Sequence, residues 1–499
     1  LQLDLEAVPD NNRENTMAAA QRRWRQRLAA TALAVMAAGA WGGVQAGGVQ
    51  AWITTADRSL LLAPQREIAF SQLPAKAAAV EIDSATRYQE MIGFGAALTD
   101  ASAWLIQQRM QPAQRAALLE ELFGREHGIG LSFTRLTIGA SDFSRQHYSF
   151  DDMPPGQSDP GLAHFSIEPN RADVLPVLKA ARALNPQLRV MASPWSAPGW
   201  MKTSDSLVQG SLKPEAYGVF AEYLRRYLDA YQAEGIPMYA LTLQNEPHFE
   251  PANYPGMRVD PAMRAAFIGG HLGPLLAATH PDTRILDWDH NWSQAWSPLK
   301  VLADPQARKY IAGVAWHCYE GDVAVQARVH DIFPDKEVYF TECSGGGWDK
   351  SWPHTLQYFT RELMIGAVQG WAKGVLLWNL ALDEHDGPHL GGCGDCRGVV
   401  TIDSQTGAVS RNVEYYALAH MSRFVRPGAQ RIKSGAMPAG VDAVAFRNAD
   451  DGSLVLVLAN GGRQARALAI RDKERAFRYK LPAGSVATLV WAASAAPAR

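Results

Sequence analysis

The sequence predicts an α/β fold, a (β/α)8 barrel carrying a side β-sandwich assembled from both ends of the chain. Three observations predict it. Between residues 80 and 425, eight short apolar runs alternate with longer helical stretches, the pattern of parallel strands joined by crossover helices. None of the eight runs is followed by the G-x-G-x-x-G turn with which an open doubly wound sheet holds phosphate. From residue 426 the helical pattern stops, and alternating runs separated by Asp-Gly, Gly-Gly and Pro-Ala-Gly turns take over, the mark of an antiparallel β-domain.

Residues 1–46 read as a leader. From Met17 onward, Arg22, Arg23, Arg25 and Arg27 form a charged region, Leu28 to Val44 a small apolar one, and Val44-Gln45-Ala46 a cleavage site; together these predict a signal peptide and export. The apolar stretch is Ala/Gly-rich and barely long enough to span a bilayer, so no stable membrane insertion is expected once it is removed. Residues 1–16, polar and acidic, precede the natural start of such a signal. Residues 47–79 hold an alternating run, "AWITTADRSLLL" at 51–62, and a Pro/Ala-rich link. That run is expected to complete the C-terminal sandwich of 426–499.

The barrel strands, in order, are "MIGFGAALT", "LSFTRLTIG", "LRVMASPWS", "PMYALTLQNE", "TRILDWDHN", "IAGVAWHCY", "EVYFTECSG" and "GVLLWNLAL". Between them lie amphipathic stretches such as 214–234, where Tyr217, Phe220, Tyr223, Leu224 and Tyr227 recur at helical spacing. The composition, 47% apolar and 20% charged with a formal net charge of −2, belongs to a globular protein. It lacks the clustered excess of one sign that nucleic acid or a charged membrane would require of a partner. Fifteen tryptophans suit either a large core or stacking on sugar rings.

In a barrel of this kind, polar residues at the C-terminal ends of strands read as active site. The second run carries Arg135 and is followed by Asp142. The third ends on Trp195, the fourth on Asn245-Glu246. The fifth carries Asp287 and Asp289, the sixth His317 and Tyr319, the seventh ends on Glu342 and the eighth on Trp378-Asn379. Alone, either glutamate would read as a cap or an arginine partner. Two of them at the ends of facing strands meet the requirement of glycoside hydrolysis: one carboxyl protonated to donate to the leaving oxygen, the other ionised. "LDWDH" at 286–290 resembles a metal cluster, but alternate strand residues at a barrel mouth more simply orient their neighbours, so neither a metal nor an organic cofactor is expected. Of the four cysteines, Cys393 and Cys396 sit in "GGCGDCRG". With no second C-x-x-C and no paired His, zinc is poorly supported, and in an exported chain a short-loop disulfide is favoured.

The motifs also carry a resemblance. "GFGAALTDAS", "RLTIGASDFS", "ASPWSAPGWMKT", "GSLKPEAY", "LTLQNEP", "GVAWHCY", "TECSGG" and "WNLALDEHDGP" resemble glycoside hydrolase family 30, on the branch that contains lysosomal glucosylceramidase, from about residue 80 to the C-terminus. The resemblance implies Glu246 as general acid/base and Glu342 as nucleophile of a retaining double displacement. It implies that Asn245 bonds the sugar 2-hydroxyl and the nucleophile, that Asp142 and Trp195 hold the outer hydroxyls, and that Trp378 supplies a stacking platform. Arg135 is expected to support the nucleophile, His317 and Tyr319 to flank Glu342, and Tyr254 to line the acid side. It further implies a β-glucoside substrate, carbohydrate or glycolipid. The loops after strands seven and eight, "CSGGGWDKSW" and "DEHDGPHLGGCGDCRGVV", depart from the glucosylceramidase pattern. An endo-β-1,6-glucanase, a β-xylosidase or a β-fucosidase of the same family is therefore an alternative. A non-catalytic carbohydrate-binding protein is disfavoured because both carboxylates are retained.

Overall fold

A computed structural model describes residues 47–74 and 78–493; the leader read over residues 1–46 lies outside them. Eight parallel strands close a barrel: β1 (Gly93–Ala97), β2 (Phe133–Ile138), β3 (Arg189–Pro194), β4 (Ala240–Thr242), β5 (Arg284–Asn291), β6 (Ile311–His317), β7 (Glu337–Glu342) and β8 (Ala372–Asn379). These are the eight runs read from the sequence. Strand β8 pairs with β1 to complete the ring. At β1 the backbone of β2 comes so close that a Cβ on Gly95 would fall 1.8 Å from the carbonyl oxygen of Phe133, so only glycine fits. The helix Tyr217–Ala233 buries Tyr217, Phe220, Tyr223, Leu224 and Tyr227 as their spacing predicts.

Side-chain alternation then places the site. A single apolar layer crosses the barrel interior, one residue per strand: Ile92 just before β1, Phe133, Met191, Ala240, Leu286, Ala315, Tyr339 and Leu376. Because strand side chains repeat every two residues, the next inward layer toward the C-terminal ends is Arg135, Ser193, Thr242, His317, Thr341 and Trp378. The lower layer is an apolar floor and the upper one is polar. Strand β5 breaks the parity. Its register against β6 shifts between Trp288 and His290, and Trp288 and Asp289 take φ of 81° and 56°. This bulge turns Asp289, rather than Trp288, into the polar layer.

Nine strands form the side domain, in the order Ala63–Pro64, Gln50–Thr54, Val486–Trp491, Leu454–Asn460, Val441–Arg447, Gln430–Ser434, Val80–Glu90, Arg466–Asp472 and Arg475–Leu481. Their apolar faces share one core, with Ile82, Leu456, Ile470, Phe477 and Trp491 among its members. Two sequence expectations are corrected here. The strand read over 51–62 stops at Thr54, because Thr55, Asp57 and Ser59 bond one another in a turn that puts Arg58 at φ 61°. Residues 80–90, read as the start of the barrel, belong to the side sheet, where they pair with 430–434 and 466–472. The helix Val413–Ser422 joins sheet and barrel through His420, whose nitrogens lie 2.9 Å from the hydroxyls of Thr54 and Thr488. Burial holds this imidazole down to about 3, so it is neutral. Among the described residues no helix is long and apolar enough to cross a membrane.

Candidate active site

The polar layer is wired around two charges. Asp289, fully buried, accepts from Arg135 Nη2 (2.7 Å), Ser193 Oγ (2.6 Å) and Thr242 Oγ1 (2.8 Å) on one oxygen, and from Thr341 Oγ1 (2.7 Å) on the other. His317 Nε2 lies 3.0 Å from that second oxygen. Burial alone would raise the Asp289 carboxyl, but Arg135, His317 and Ser193 hold it far below the usual carboxylate range. Arg135, equally buried, spends its other amino group on Glu342, with Nη1 2.5 Å from Oε2. One guanidinium thus spans β5 and β7, a fork geometry that Lys could not supply.

Above this layer stand the two glutamates. Glu342 is the last residue of β7 and lies beside His317 in the ladder; Tyr319 donates its hydroxyl to Oε1 at 2.9 Å. Burial and the charge of Glu342 push the Tyr319 phenol well above its ordinary value, so it remains a donor. Glu246 follows a strand only three residues long. It adopts φ 47°, a left-handed conformation that costs a non-glycine residue of order 1 kcal/mol, and its N–H donates to Asp289 O at 3.0 Å. Its Oε1 lies 3.1 Å from His317 Nδ1 and 3.3 Å from His290 Nδ1. Although burial opposes it, the two imidazoles hold the Glu246 carboxyl low. Burial lowers His317, but the charge of Glu342 and the bonds to Asp289 and Glu246 outweigh this and push it up to about 9. The proton shared by this pair therefore rests on the imidazole.

A cavity of about 420 Å3 opens in front of the pair. Its walls are Asp142, Trp195, Asn245, Glu246, Tyr254, Tyr319, Glu342 and Trp378, with Phe249, Trp348, Gly392, Cys393 and Cys396 around them. Of the residues singled out in the sequence, Arg135, Asp287, Asp289, His317 and Asn379 do not line it. Trp195 and Trp378 stack with centroids 5.1 Å apart, and Tyr254 and Cys393 pack against them. Burial and the charge of Glu342 push Asp142 up to about 7, against the Cys393 N–H that it accepts. The loop after β8 reaches Asp142 through Gly392, whose φ of 66° and missing Cβ are both needed: a methyl there would fall 2.4 Å from the carboxylate. A larger hollow, about 1080 Å3, lies among the strand starts at the other end of the barrel, walled by Arg189, Tyr239 and Arg284. It contains neither glutamate of the pair.

His317 flanks Glu342 as expected, with Nδ1 3.9 Å from it, and makes its shorter contact, 3.1 Å, to Glu246. One expected contact is corrected. Asn245 accepts from Arg135 at 2.7 Å, so its link to the nucleophile position runs through that guanidinium. Cys393 and Cys396 are joined, and Cys318 and Cys343 form a second disulfide that ties the ends of β6 and β7. The sequence held that signal, since each of these cysteines directly follows a site residue on adjacent strands. Phe249 went unread, and His290 entered only as the last residue of "LDWDH".

Comparison with known proteins gives the same frame. Family models for the glycosyl hydrolase family 30 TIM-barrel domain and for the glycosyl hydrolase family 30 beta sandwich domain match residues 91–425 and 428–489. An endo-1,6-beta-D-glucanase of Neurospora crassa is 37% identical over 390 residues, 75% of this chain and 79% of that protein. A lysosomal acid glucosylceramidase of Mus musculus is 29% identical over 438 residues, 81% of this chain and 82% of that protein. A solved endo-beta1,6-glucanase superposes with a TM-score of 0.83 at 34% identity, covering 90% of this chain and all of that one. The chain belongs to glycoside hydrolase family 30, and it is a glycoside hydrolase.

Proposed function

We propose that this family 30 enzyme is an exported, retaining endo-β-1,6-glucanase with Glu342 as nucleophile and Glu246 as general acid/base. The observation that carries the reaction is the shared contact of both glutamates with one atom. Their Oε1 oxygens lie 3.1 and 3.9 Å from His317 Nδ1; the two distances together leave them at most 7.0 Å apart. That favours direct attack, which needs carboxyls about 5–5.5 Å apart, over inversion, which needs about 6.5–9.5 Å to admit a water. Glu342 attacks the anomeric carbon while Glu246 protonates the leaving oxygen. Water deprotonated by Glu246 then cleaves the glycosyl ester. The proton for the first step is at hand on His317. Asp142, Trp195, Tyr254 and Trp378 would hold the sugar, and Asn245 its 2-hydroxyl.

The stronger likeness to endo-1,6-β-glucanases than to a glucosylceramidase, 37% against 29% identity, supports the linkage and moves the reading away from the glucosylceramidase branch. Phe249 and Trp348, 48% and 57% exposed at the cavity rim, offer aromatic faces on which further glucose units can stack. Export rests on the leader and on the two disulfides, bonds that persist in oxidising compartments.

The substrate is tested by incubating the enzyme with linear β-1,6-glucan, an aryl β-glucoside and glucosylceramide. Soluble gluco-oligosaccharides of several lengths should appear early from the glucan. Efficient release of ceramide with no attack on the glucan would replace this reading with the glycolipid one. The acid/base role predicts that Glu246→Ala lowers kcat/KM for poor leaving groups on the order of 100-fold or more, and much less for activated aryl glucosides, with azide restoring part of the turnover. Equal losses on both substrate types would remove Glu246 from that role.

A further inference from the structure

We propose that Glu246, His290 and His317 form a transition-metal site in the cavity wall, which a Zn2+ or Cu2+ ion can enter and thereby inhibit the enzyme. The ligand atoms of the three residues lie within 4.8 Å of one another. A tetrahedral Zn2+ with bonds of about 2.0–2.1 Å sets its ligands about 3.3 Å apart. Glu246 Oε1 is 3.3 Å from His290 Nδ1 and 3.1 Å from His317 Nδ1, so two edges of the triangle already fit, and an ion would draw the two imidazoles together from no more than 4.8 Å. Two imidazoles and one carboxylate favour Zn2+ or Cu2+ over Mg2+ or Ca2+, which prefer oxygen throughout.

Two further features point to a ligand. Asp289 lies 3.0 Å from His317 Nε2 and is itself fixed by Arg135, Ser193, Thr242 and Thr341. A carboxylate behind an imidazole is the arrangement that aims the opposite nitrogen at a metal. His290 Nδ1 is buried, points at Glu246 and has no hydrogen-bond partner of good geometry among the described residues. The fourth position faces the cavity, where water or Glu342 Oε1, 3.9 Å from His317 Nδ1, can complete the shell. An ion there displaces the proton on His317 and occupies the lone pair that Glu246 needs for proton transfer.

The inhibition arm rests on the role given to Glu246; the binding arm needs no substrate. Chelator-treated full-length enzyme is titrated with Zn2+ against a chromophoric chelator, and with Co2+ while its visible d–d bands are followed. One equivalent should bind in each case, with the intense band of tetrahedral Co2+. Zn2+ should inhibit competitively with a basic iminosugar, and EDTA should reverse the inhibition. Loss of a ligand costs at least the roughly 10–100-fold of an outer partner, so His290→Gln should weaken Zn2+ binding by at least about tenfold. Absence of stoichiometric Zn2+ and Co2+ binding would overturn the proposal, as would unchanged binding in His290→Gln or simultaneous binding of Zn2+ and iminosugar. If His290→Gln does not fold, the iminosugar competition on the wild type decides alone.

Discussion

Glu342→Gln should leave almost no hydrolase activity, with kcat lower on the order of 10^4-fold or more on every substrate, activated or not. The amide keeps the size and shape of the carboxylate but cannot form the glycosyl ester. The loss therefore falls on the first step, where a good leaving group brings no relief, in contrast to Glu246→Ala. Folding should survive. Arg135 would keep Asp289 at 2.7 Å and the amide oxygen at position 342, and the Tyr319 hydroxyl can turn to accept from the amide N–H. A 2-fluoro-glucoside with an activated leaving group should label the wild type at Glu342, and the variant should stay unlabelled. Product binding, read from the fluorescence of Trp195 and Trp378 in the cavity, should persist. Activity within tenfold of the wild type, or a label on Glu246, would reassign the nucleophile.

The sequence exposed this pair because both glutamates end strands whose apolar runs are unmistakable, and the barrel rule does the rest. Its limits lie where backbone geometry departs from simple alternation. Reading β5 by parity puts Leu286 and Trp288 inward and Asp287 and Asp289 outward. The bulge at 288–290 reverses that for Asp289 alone, so the central acceptor of the site was legible as a residue but not as a role. His290 follows the same bulge, so its place beside Glu246 was not legible either. Residues 80–90 were misassigned because an 11-residue strand that bends between two neighbours has the same local pattern as a barrel strand. His317 was placed beside Glu342, which it flanks, but its shorter contact to Glu246 went unread. Which carboxylate an imidazole touches depends on the left-handed turn at Glu246, and no pattern in "LTLQNEP" announces it.

Strand β5 offers an internal control for the largest stability effect expected here. Asp287 and Asp289 lie two residues apart, both fully buried and both paired with a fully buried arginine, Arg264 at 2.8 Å and Arg135 at 2.7 Å. The first pair sits on the outer face of the barrel wall, where Arg264 also donates to Ser297; the second lies under the glutamates. Removing one member of a buried ion pair costs about 3–5 kcal/mol, so Asp287→Asn and Asp289→Asn should each lower the urea unfolding free energy by that order. Asp289 has its carboxyl held well below the usual range by its donors, so its stabilisation is present above the unfolded value of about 4 and is lost only as pH falls below it. The Asp289→Asn deficit should therefore be constant from about pH 5 to 6.5 and shrink above that, as the wild type loses the stabilisation that Asp289 gives the His317 proton. Activity separates the two. An asparagine at 289 must turn its amide away from Arg135, which can only donate, and so presents it to His317 Nε2 and Thr341. The imidazole can then only accept at Nε2, so it gives up that proton and with it the positive charge that faces Glu246. A displacement near 1 Å at a reacting group costs on the order of 100-fold, and the same loss in kcat is expected for Asp289→Asn, while folded Asp287→Asn should keep kcat within a few-fold of the wild type. Equal activity losses in the two variants would mean that Asp289 acts on stability alone and that the polar layer does not position the glutamates.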